Sequence, residues 1–108
     1  MKKFSILSII IFLSLSITLV FAAEKTKGKT GEALFKEHCA ICHPAGGNII
    51  NPQMTLHKKS LAEHGITKPE DIVKTMRNPG PGMTKFDKKI IPDEEAKKIA
   101  KYILETFK

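Results

Sequence analysis

The chemistry that this sequence indicates most strongly lies in five consecutive residues, Cys39-Ala40-Ile41-Cys42-His43. They form a C-x-x-C-H pattern, which is typical of covalent haem attachment. Residues three apart lie on one face of a helix, so the thiolates of Cys39 and Cys42 can both reach the two vinyl groups along one haem edge. The imidazole of His43, next along the chain, then faces the iron. Because the pattern occurs once, we predict one haem c per chain, bound through Cys39 and Cys42, with His43 as an iron ligand.

Three other interpretations of the two cysteines remain open: a thioredoxin-like redox pair, half of a zinc site, or two cysteines without special chemistry. A thioredoxin-like pair is expected within a βαβ unit, and no such pattern is visible in the sequence. A zinc site needs four ligands in two clusters, but the chain has no second pair of cysteines. The spacing therefore favours haem attachment.

The second axial ligand of the iron decides what such a haem can do. Iron bound by histidine alone keeps an open position for a gas or for peroxide, whereas an opposing thioether closes that position and raises the reduction potential. The candidate ligands are Met54, His57, His64, Met76 and Met83.

Met83 is the second ligand that we predict. It follows Asn78-Pro79-Gly80-Pro81-Gly82, where prolines and glycines favour a rigid, extended path that lets the backbone approach a bulky group. Met76 lies at helical spacing from its apolar neighbours and is expected in the core. His57 is the runner-up, although it lies in a lysine-rich stretch where histidines are ordinarily solvated.

The segment from Pro44 to Met54 is predicted to be a loop around His43, since it is rich in proline and glycine. A backbone carbonyl in this loop is expected to accept a hydrogen bond from the free ring nitrogen of His43, which would raise the basicity of the imidazole. We expect the carbonyl of Asn51 to do so.

Helices must position these side chains, because apolar residues recur at helical spacing and no strand-like alternation is visible. The expected class is all-α. The predicted helices run from Gly31, capped by Thr30, to about Ile41; from Lys58 to His64; from a capping box at Thr67-Lys68-Pro69-Glu70 to Arg77 or Asn78; and from about Pro92 to Phe107.

The first residues have the parts of a secretory signal: Lys2 and Lys3, the apolar run Phe4–Phe21, and the small residues Ala22 and Ala23. We predict that residues 1–22 are a cleaved signal peptide and that 23–30 are a flexible lead segment. The protein would then be periplasmic or otherwise exported, without a permanent membrane span. If the run is kept, its length of nearly 20 residues would make it a membrane anchor.

Charge suggests the kind of partner. The formal net charge is +7, and loss of Lys2 and Lys3 with the signal would leave +5. Five lysines could form a basic docking face for transient, acidic redox-protein partners, although an ordinary solvated face is the alternative: Lys58, Lys59, Lys85, Lys88 and Lys89. An exported chain with few aromatic residues gives little reason to expect nucleic-acid binding.

From about Gly28 to its end, the chain resembles the class I monohaem cytochromes c. Gly31 and Phe35, eight and four residues before Cys39, look like the family's glycine and aromatic pair, which meets the C-terminal helix near Ile99 and Tyr102. The resemblance implies that residues 31–108 form a cytochrome c domain of four or five short helices wrapped around one covalently bound haem.

Further positions resemble the small soluble cytochromes that replace plastocyanin in photosynthesis. They are Gly46-Gly47-Asn48, Pro52, Leu56 and the segment Met83-Thr84-Lys85-Phe86. In that subtype the methionine matching Met83 is the axial ligand. Two positions depart from it, since Thr84 stands where proline often follows the ligand and Pro92 where Ser or Thr usually caps the last helix.

The resemblance implies a soluble, exported, monomeric electron carrier with His/Met ligation, and no enzyme. A five-coordinate haem protein that binds a gas or peroxide is the main alternative, followed by a thiol-disulfide protein.

Overall fold

The computed structural model describes residues 28–108 of the chain. In this range the regular structure is helical throughout, and the all-α class is as predicted. Residues 28–108 contain four α-helices, in the order α1 (Gly31–His38), α2 (Lys58–Glu63), α3 (Pro69–Arg77) and α4 (Asp93–Thr106), with a short 3₁₀ turn at Pro44–Gly46 after α1. The predicted signal peptide and most of the lead segment lie outside the described residues.

Helix α1 begins where the sequence predicts. The side chain of Thr30 accepts a hydrogen bond from the backbone N–H of Ala33 at 3.2 Å, which is the expected N-cap. The helix ends at His38, earlier than the predicted Ile41. The N–H groups of both Cys39 and Ala40 bond to the carbonyl of Phe35, so the regular hydrogen-bond ladder stops there.

Helix α1 crosses α4 at very short range. A Cβ atom added to Gly31 would lie 2.3 Å from the carbonyl oxygen of Lys98 and 3.0 Å from Cβ of Tyr102, so only glycine allows this approach. One turn later, the rings of Phe35 and Tyr102 pack with centroids 5.4 Å apart. This is the glycine and aromatic contact that the family resemblance implied.

Helix α4 is the longest helix within residues 28–108 and supplies much of the core. Three acidic residues, Asp93, Glu94 and Glu95, occupy its first turn, where the helix dipole favours negative charge. Its buried stripe consists of Ala96, Ile99, Ala100 and Ile103, with Phe107 buried just beyond its end. The stripe packs against α1 on one side and α3 on the other.

Helix α3 has its capping carboxylate one position later than predicted. The carboxylate of Asp71 accepts hydrogen bonds from the N–H groups of Thr67 and Lys68 at 3.0 and 3.1 Å. Pro69 occupies the first helical position, where its missing N–H costs nothing. The expected role of Glu70 therefore belongs to Asp71. Met76 near the end of α3 is only 3% exposed and belongs to the core, as predicted.

Candidate functional site

A cleft of about 250 Å³ opens between the Cys39–His43 segment and the rest of the described chain. Its walls come from the end of α1, that segment, the following loop, α2, the connection to α3, α3 itself, the segment after α3 and one residue of α4. The lining is mostly apolar and includes Cys39, Cys42, His43, Met54, Leu56, Leu61, His64, Ile72, Met76, Met83, Phe86 and Ile103.

His43 is held in one orientation by the loop that follows it. Its Nδ1 lies 2.8 Å from the carbonyl oxygen of Gly47, at hydrogen-bond distance. With Nδ1 bound in this way, Nε2 is the ring nitrogen left for a ligand in the cleft. A backbone carbonyl of this loop was expected here, but the acceptor is Gly47 and not Asn51.

The turn between His43 and Gly47 explains why the acceptor is so near in sequence. Ala45 and Gly46 both have left-handed backbone conformations, with φ of 53° and 80°. The chain thereby turns back on itself, and the N–H of Gly46 donates to the carbonyl of His43 at 3.1 Å. This turn brings the carbonyl of Gly47 against the imidazole of His43.

The side chains of Cys39 and Cys42 are both half-buried and line the cleft. The N–H of Cys42 donates to the carbonyl of Cys39 at 3.2 Å, and that of His43 donates to the same carbonyl at 2.9 Å. Burial raises the pKa of the Cys39 thiol to about 11. The attacking thiol of a redox pair normally has a lowered pKa, so the raised pKa of Cys39 gives no support to a thiol-disulfide pair.

Met83 is half-buried and reaches the cleft from a turn built by its neighbours. Pro81 and Gly82 occupy the two central positions of this turn, and Gly82 has φ of 86°, as a type II turn requires. The sequence analysis predicted a rigid, extended path before Met83, whereas the structure has a turn at residues 80–83, because the positive φ of Gly82 reverses the chain there.

The other candidate iron ligands divide into two groups. Met54, His64 and Met76 also line the cleft, whereas His57, the predicted runner-up, is not among the lining residues. The ring of His57 instead packs edge-on against Phe107, with centroids 6.1 Å apart. Met54 is 44% exposed at the rim, and Nδ1 of His64 is 2.8 Å from the carbonyl oxygen of Ser60.

Two residues near the site have roles that were not predicted from the sequence. The side chain of His38 is only 18% exposed, lines the cleft and packs edge-on against Phe86. Arg77 bonds to the backbone carbonyls of Phe86 and Ile91 in the segment after Met83. No local pattern signals either role, because the partners lie on other elements.

The donor set and the lining fit a haem. Imidazole nitrogen and thioether sulfur are the usual axial donors of a low-spin haem iron in electron carriers, and an apolar cleft suits a flat porphyrin. A zinc site is not assembled in the part of the chain described, since no three His, Cys, Asp or Glu side chains cluster there.

Comparison with known proteins identifies the family. A family model described as cytochrome C oxidase, cbb3-type, subunit III matches residues 26–103. A cytochrome c6-like protein from Nostoc sp. is 35% identical over 105 residues, which cover 97% of this chain and 94% of that protein. A cytochrome c6 from Rippkaea orientalis is 29% identical over 104 residues, covering 96% and 93%.

Solved structures show the same relationship. Outer membrane cytochrome F from Geobacter sulfurreducens matches with a TM-score of 0.71 and 42% identity, over 72% of this chain and 99% of that one. Cytochrome c6C from Synechococcus sp. matches with a TM-score of 0.68 and 29% identity, over 73% and 95%.

The chain therefore belongs to the class I cytochromes c. Within that class it is a small monohaem cytochrome of the c6 type, which binds one haem c covalently and transfers electrons between redox partners without being an enzyme. Within residues 28–108, none of the helices has the length and apolar character needed to cross a bilayer.

Proposed function

We propose that this protein is an exported single-electron carrier whose haem is bonded through Cys39 and Cys42 and whose iron lies between His43 and Met83. The observation that carries the proposal is the hydrogen bond between Nδ1 of His43 and the carbonyl oxygen of Gly47. It leaves Nε2 as the ligating atom, fixes the tautomer and raises the basicity of the imidazole.

When bound, haem c supplies one-electron chemistry at its iron. The residues of the chain keep the ligands in place while the charge of the iron changes. His43 is held by the left-handed turn at Ala45 and Gly46, and Met83 is held by the turn at Pro81 and Gly82. Neither ligand needs to dissociate during transfer, so little rearrangement accompanies it.

Met83 is the methionine that best suits the second axial position. Met76 is buried in the core, and Met54 lies exposed at the rim of the cleft. Met83 alone of the three sits on a turn whose proline and positive-φ glycine fix its backbone. The matching methionine is also the one that the family resemblance assigns as a ligand.

Acidic redox proteins are the partners that the charge distribution favours. Lys85 lies between Thr84 and Phe86, both of which line the cleft, and it is exposed. Lys58 and Lys59 are also exposed and follow closely on Leu56, another lining residue. Lysines at the mouth of the cleft would attract an anionic partner, and this attraction would weaken with added salt.

Of the remaining predicted docking lysines, Lys88 is engaged, since its Nζ lies 3.2 Å from Oδ2 of Asp93. Lys89 is exposed.

Export follows in this proposal from residues 1–22 acting as a cleaved signal peptide, which places the carrier in the periplasm or a comparable compartment. The end of the 23–30 segment is attached to the domain. The side chain of Lys29 pairs with Glu37, and the backbone carbonyl of Lys29 accepts a hydrogen bond from Nζ of Lys98 at 3.3 Å. A mass measurement that places the mature N-terminus at Ala23 would support cleavage, and an intact Met1 would contradict it.

The haem proposal is tested by expressing the full chain in a cell with working cytochrome maturation and measuring the mass of the denatured product. We expect the mass of the polypeptide plus one haem, retained through denaturation because the thioether bonds are covalent. The Cys39→Ala and Cys42→Ala variants should each lose one attachment, and the double variant should release the haem. A colourless wild-type protein would refute the proposal.

A further inference from the structure

The ring of Phe107, just beyond the end of α4, lies directly against the backbone of Gly46. A Cβ atom added to Gly46 would be 2.5 Å from Cδ1 and 2.6 Å from Cγ of that ring. Gly46 is itself buried, and its φ of 80° favours glycine. The C-terminal aromatic residue therefore covers the turn that follows His43.

The backbone of Phe107 is attached to the far end of the same loop. Its carbonyl accepts a hydrogen bond from the N–H of Lys58 at 2.9 Å. The carbonyl of Gly46 in turn accepts from the N–H of Leu56 at 2.7 Å. Both ends of the loop between His43 and α2 thus converge on Phe107.

Gly46 directly precedes Gly47, the residue whose carbonyl orients the imidazole. Its N–H donates to the carbonyl of His43, and its own carbonyl carbon belongs to the peptide unit that leads to Gly47. A shift of Gly46 would displace Gly47, whose carbonyl oxygen now lies 2.8 Å from Nδ1 of His43.

We propose that Phe107 is a positioning residue for His43: by pressing on Gly46 it sets the hydrogen bond from His43 to Gly47 and so tunes the iron. This inference rests on the proposed function, in which His43 ligates the haem iron. A weaker hydrogen bond makes the imidazole less basic, so it stabilises the oxidised iron less and the reduction potential rises.

A purely structural role for Phe107 predicts something different. The ring also packs against Phe35 and Tyr102, with centroids 5.3 and 6.0 Å away. If it only fills the core, its truncation should lower stability like truncation of any neighbour in this aromatic cluster. The potential would then stay unchanged.

The first test compares Phe107→Leu with Phe35→Leu in the purified haem-containing protein. Phe35 belongs to the same cluster, but the three atoms nearest to the Cβ position of Gly46 all belong to Phe107. We expect Phe107→Leu to raise the reduction potential and to speed hydrogen exchange of the His43 Nδ1 proton at least tenfold by NMR. Phe35→Leu should lower stability while leaving both readouts near the wild-type values.

A second test measures the effect of Gly46→Ala with and without the ring of Phe107. Gly46→Ala should destabilise the holoprotein, partly through its positive φ and partly through the clash with Phe107. In the Phe107→Ala background the clash is gone, so Gly46→Ala should shift the unfolding equilibrium at least tenfold less. An equal effect of Gly46→Ala in both backgrounds would overturn the proposed contact.

The two proposals fail in distinguishable ways. If the wild type holds its haem covalently and Phe107→Leu matches Phe35→Leu in potential and exchange, the positioning role of Phe107 falls and the carrier function stands. If His43→Ala leaves the spectrum of the haem unchanged, then His43 is not the ligand and both proposals fall.

Discussion

Nη2 of Arg77 at the end of α3 donates a hydrogen bond to Oδ1 of Asp93 at the start of α4, at 2.8 Å. Nη1 of the same guanidinium donates to the carbonyls of Phe86 and Ile91, at 3.1 and 2.8 Å. One side chain thus joins two helices to the segment that follows Met83. The planar guanidinium suits this arrangement, since it presents several donors at fixed angles.

Arg77→Lys should destabilise the holoprotein by about 2 kcal/mol, because one ammonium group cannot reproduce three charge-assisted hydrogen bonds in different directions. Denaturant unfolding followed by absorbance measures the change. Lys74→Gln is the matched control, since Lys74 is an exposed residue on the same helix, and it should change stability little. Equal effects of the two substitutions would show that the Arg77 contacts contribute no stability.

Asp93 should make stability depend on acid pH. Hydrogen bonds from Arg77 and then from Lys88 hold the pKa of the Asp93 carboxyl below its ordinary value of 3.8. A carboxyl whose pKa is lower in the folded state stabilises the protein above its unfolded pKa, and this contribution is lost as pH falls through the folded pKa. Asp93→Asn should therefore be less stable than the wild type near neutral pH.

The stability difference between the wild type and Asp93→Asn should then narrow as the pH is lowered below about 4, since the wild-type carboxyl becomes neutral as well. Thermal unfolding of both holoproteins over a pH series measures this. A difference that stays constant throughout the acid range would contradict the assigned pairing.

Gly31→Ala should lower stability by about 1–3 kcal/mol, because the new Cβ would overlap the backbone of α4 and force the two helices apart. The added atom would lie 2.3 Å from the carbonyl oxygen of Lys98. Gly80→Ala is the control, since a Cβ at Gly80 meets no atom within 4 Å. Thermal unfolding of the two variants should separate them clearly, and similar unfolding temperatures would contradict the close crossing.

The basic docking face predicts how the carrier reacts with an anionic oxidant. Replacement of Lys58, Lys59 and Lys85 by Glu should slow oxidation of the reduced protein by ferricyanide about tenfold or more at low salt, and added salt should shrink the effect. Stopped-flow absorbance gives the second-order rate constant. The outcome depends on where the charges lie as well as on their number.

A control with the same change in net charge separates these two factors. Lys97, Lys98 and Lys101 lie on α4, and only Ile103 of that helix lines the cleft. Their replacement by Glu should slow the reaction much less. Equal slowing by both triple variants would show that only the net charge matters, and it would contradict the docking face.

The parts of the fold with a local cause were predictable from the sequence. The cap at Thr30 and the buried stripe of α4 follow from residue types and spacing, and the crossing at Gly31 followed from the family resemblance. The end of α1 was predicted three residues too late, because the bonding of two N–H groups to the carbonyl of Phe35 leaves no mark in the sequence.

The candidate site was likewise predicted only in part. Its cysteines, histidine and methionine were predicted from motif and turn chemistry, and the structure places all four at one cleft. The carbonyl that orients His43 was misassigned to Asn51, since the tight turn depends on a positive φ at Ala45, an unusual residue for that conformation. Arg77 was missed because its acceptors come from distant parts of the chain.

The absorption spectrum of the oxidised holoprotein tests the account most directly, through the iron–sulfur charge-transfer band. We predict that the wild type shows the band, that Met83→Ala loses it and binds carbon monoxide in the reduced state, and that Met54→Ala keeps it. A wild type that lacks the band and binds carbon monoxide freely, or a Met83→Ala variant that retains the band, would contradict ligation by Met83.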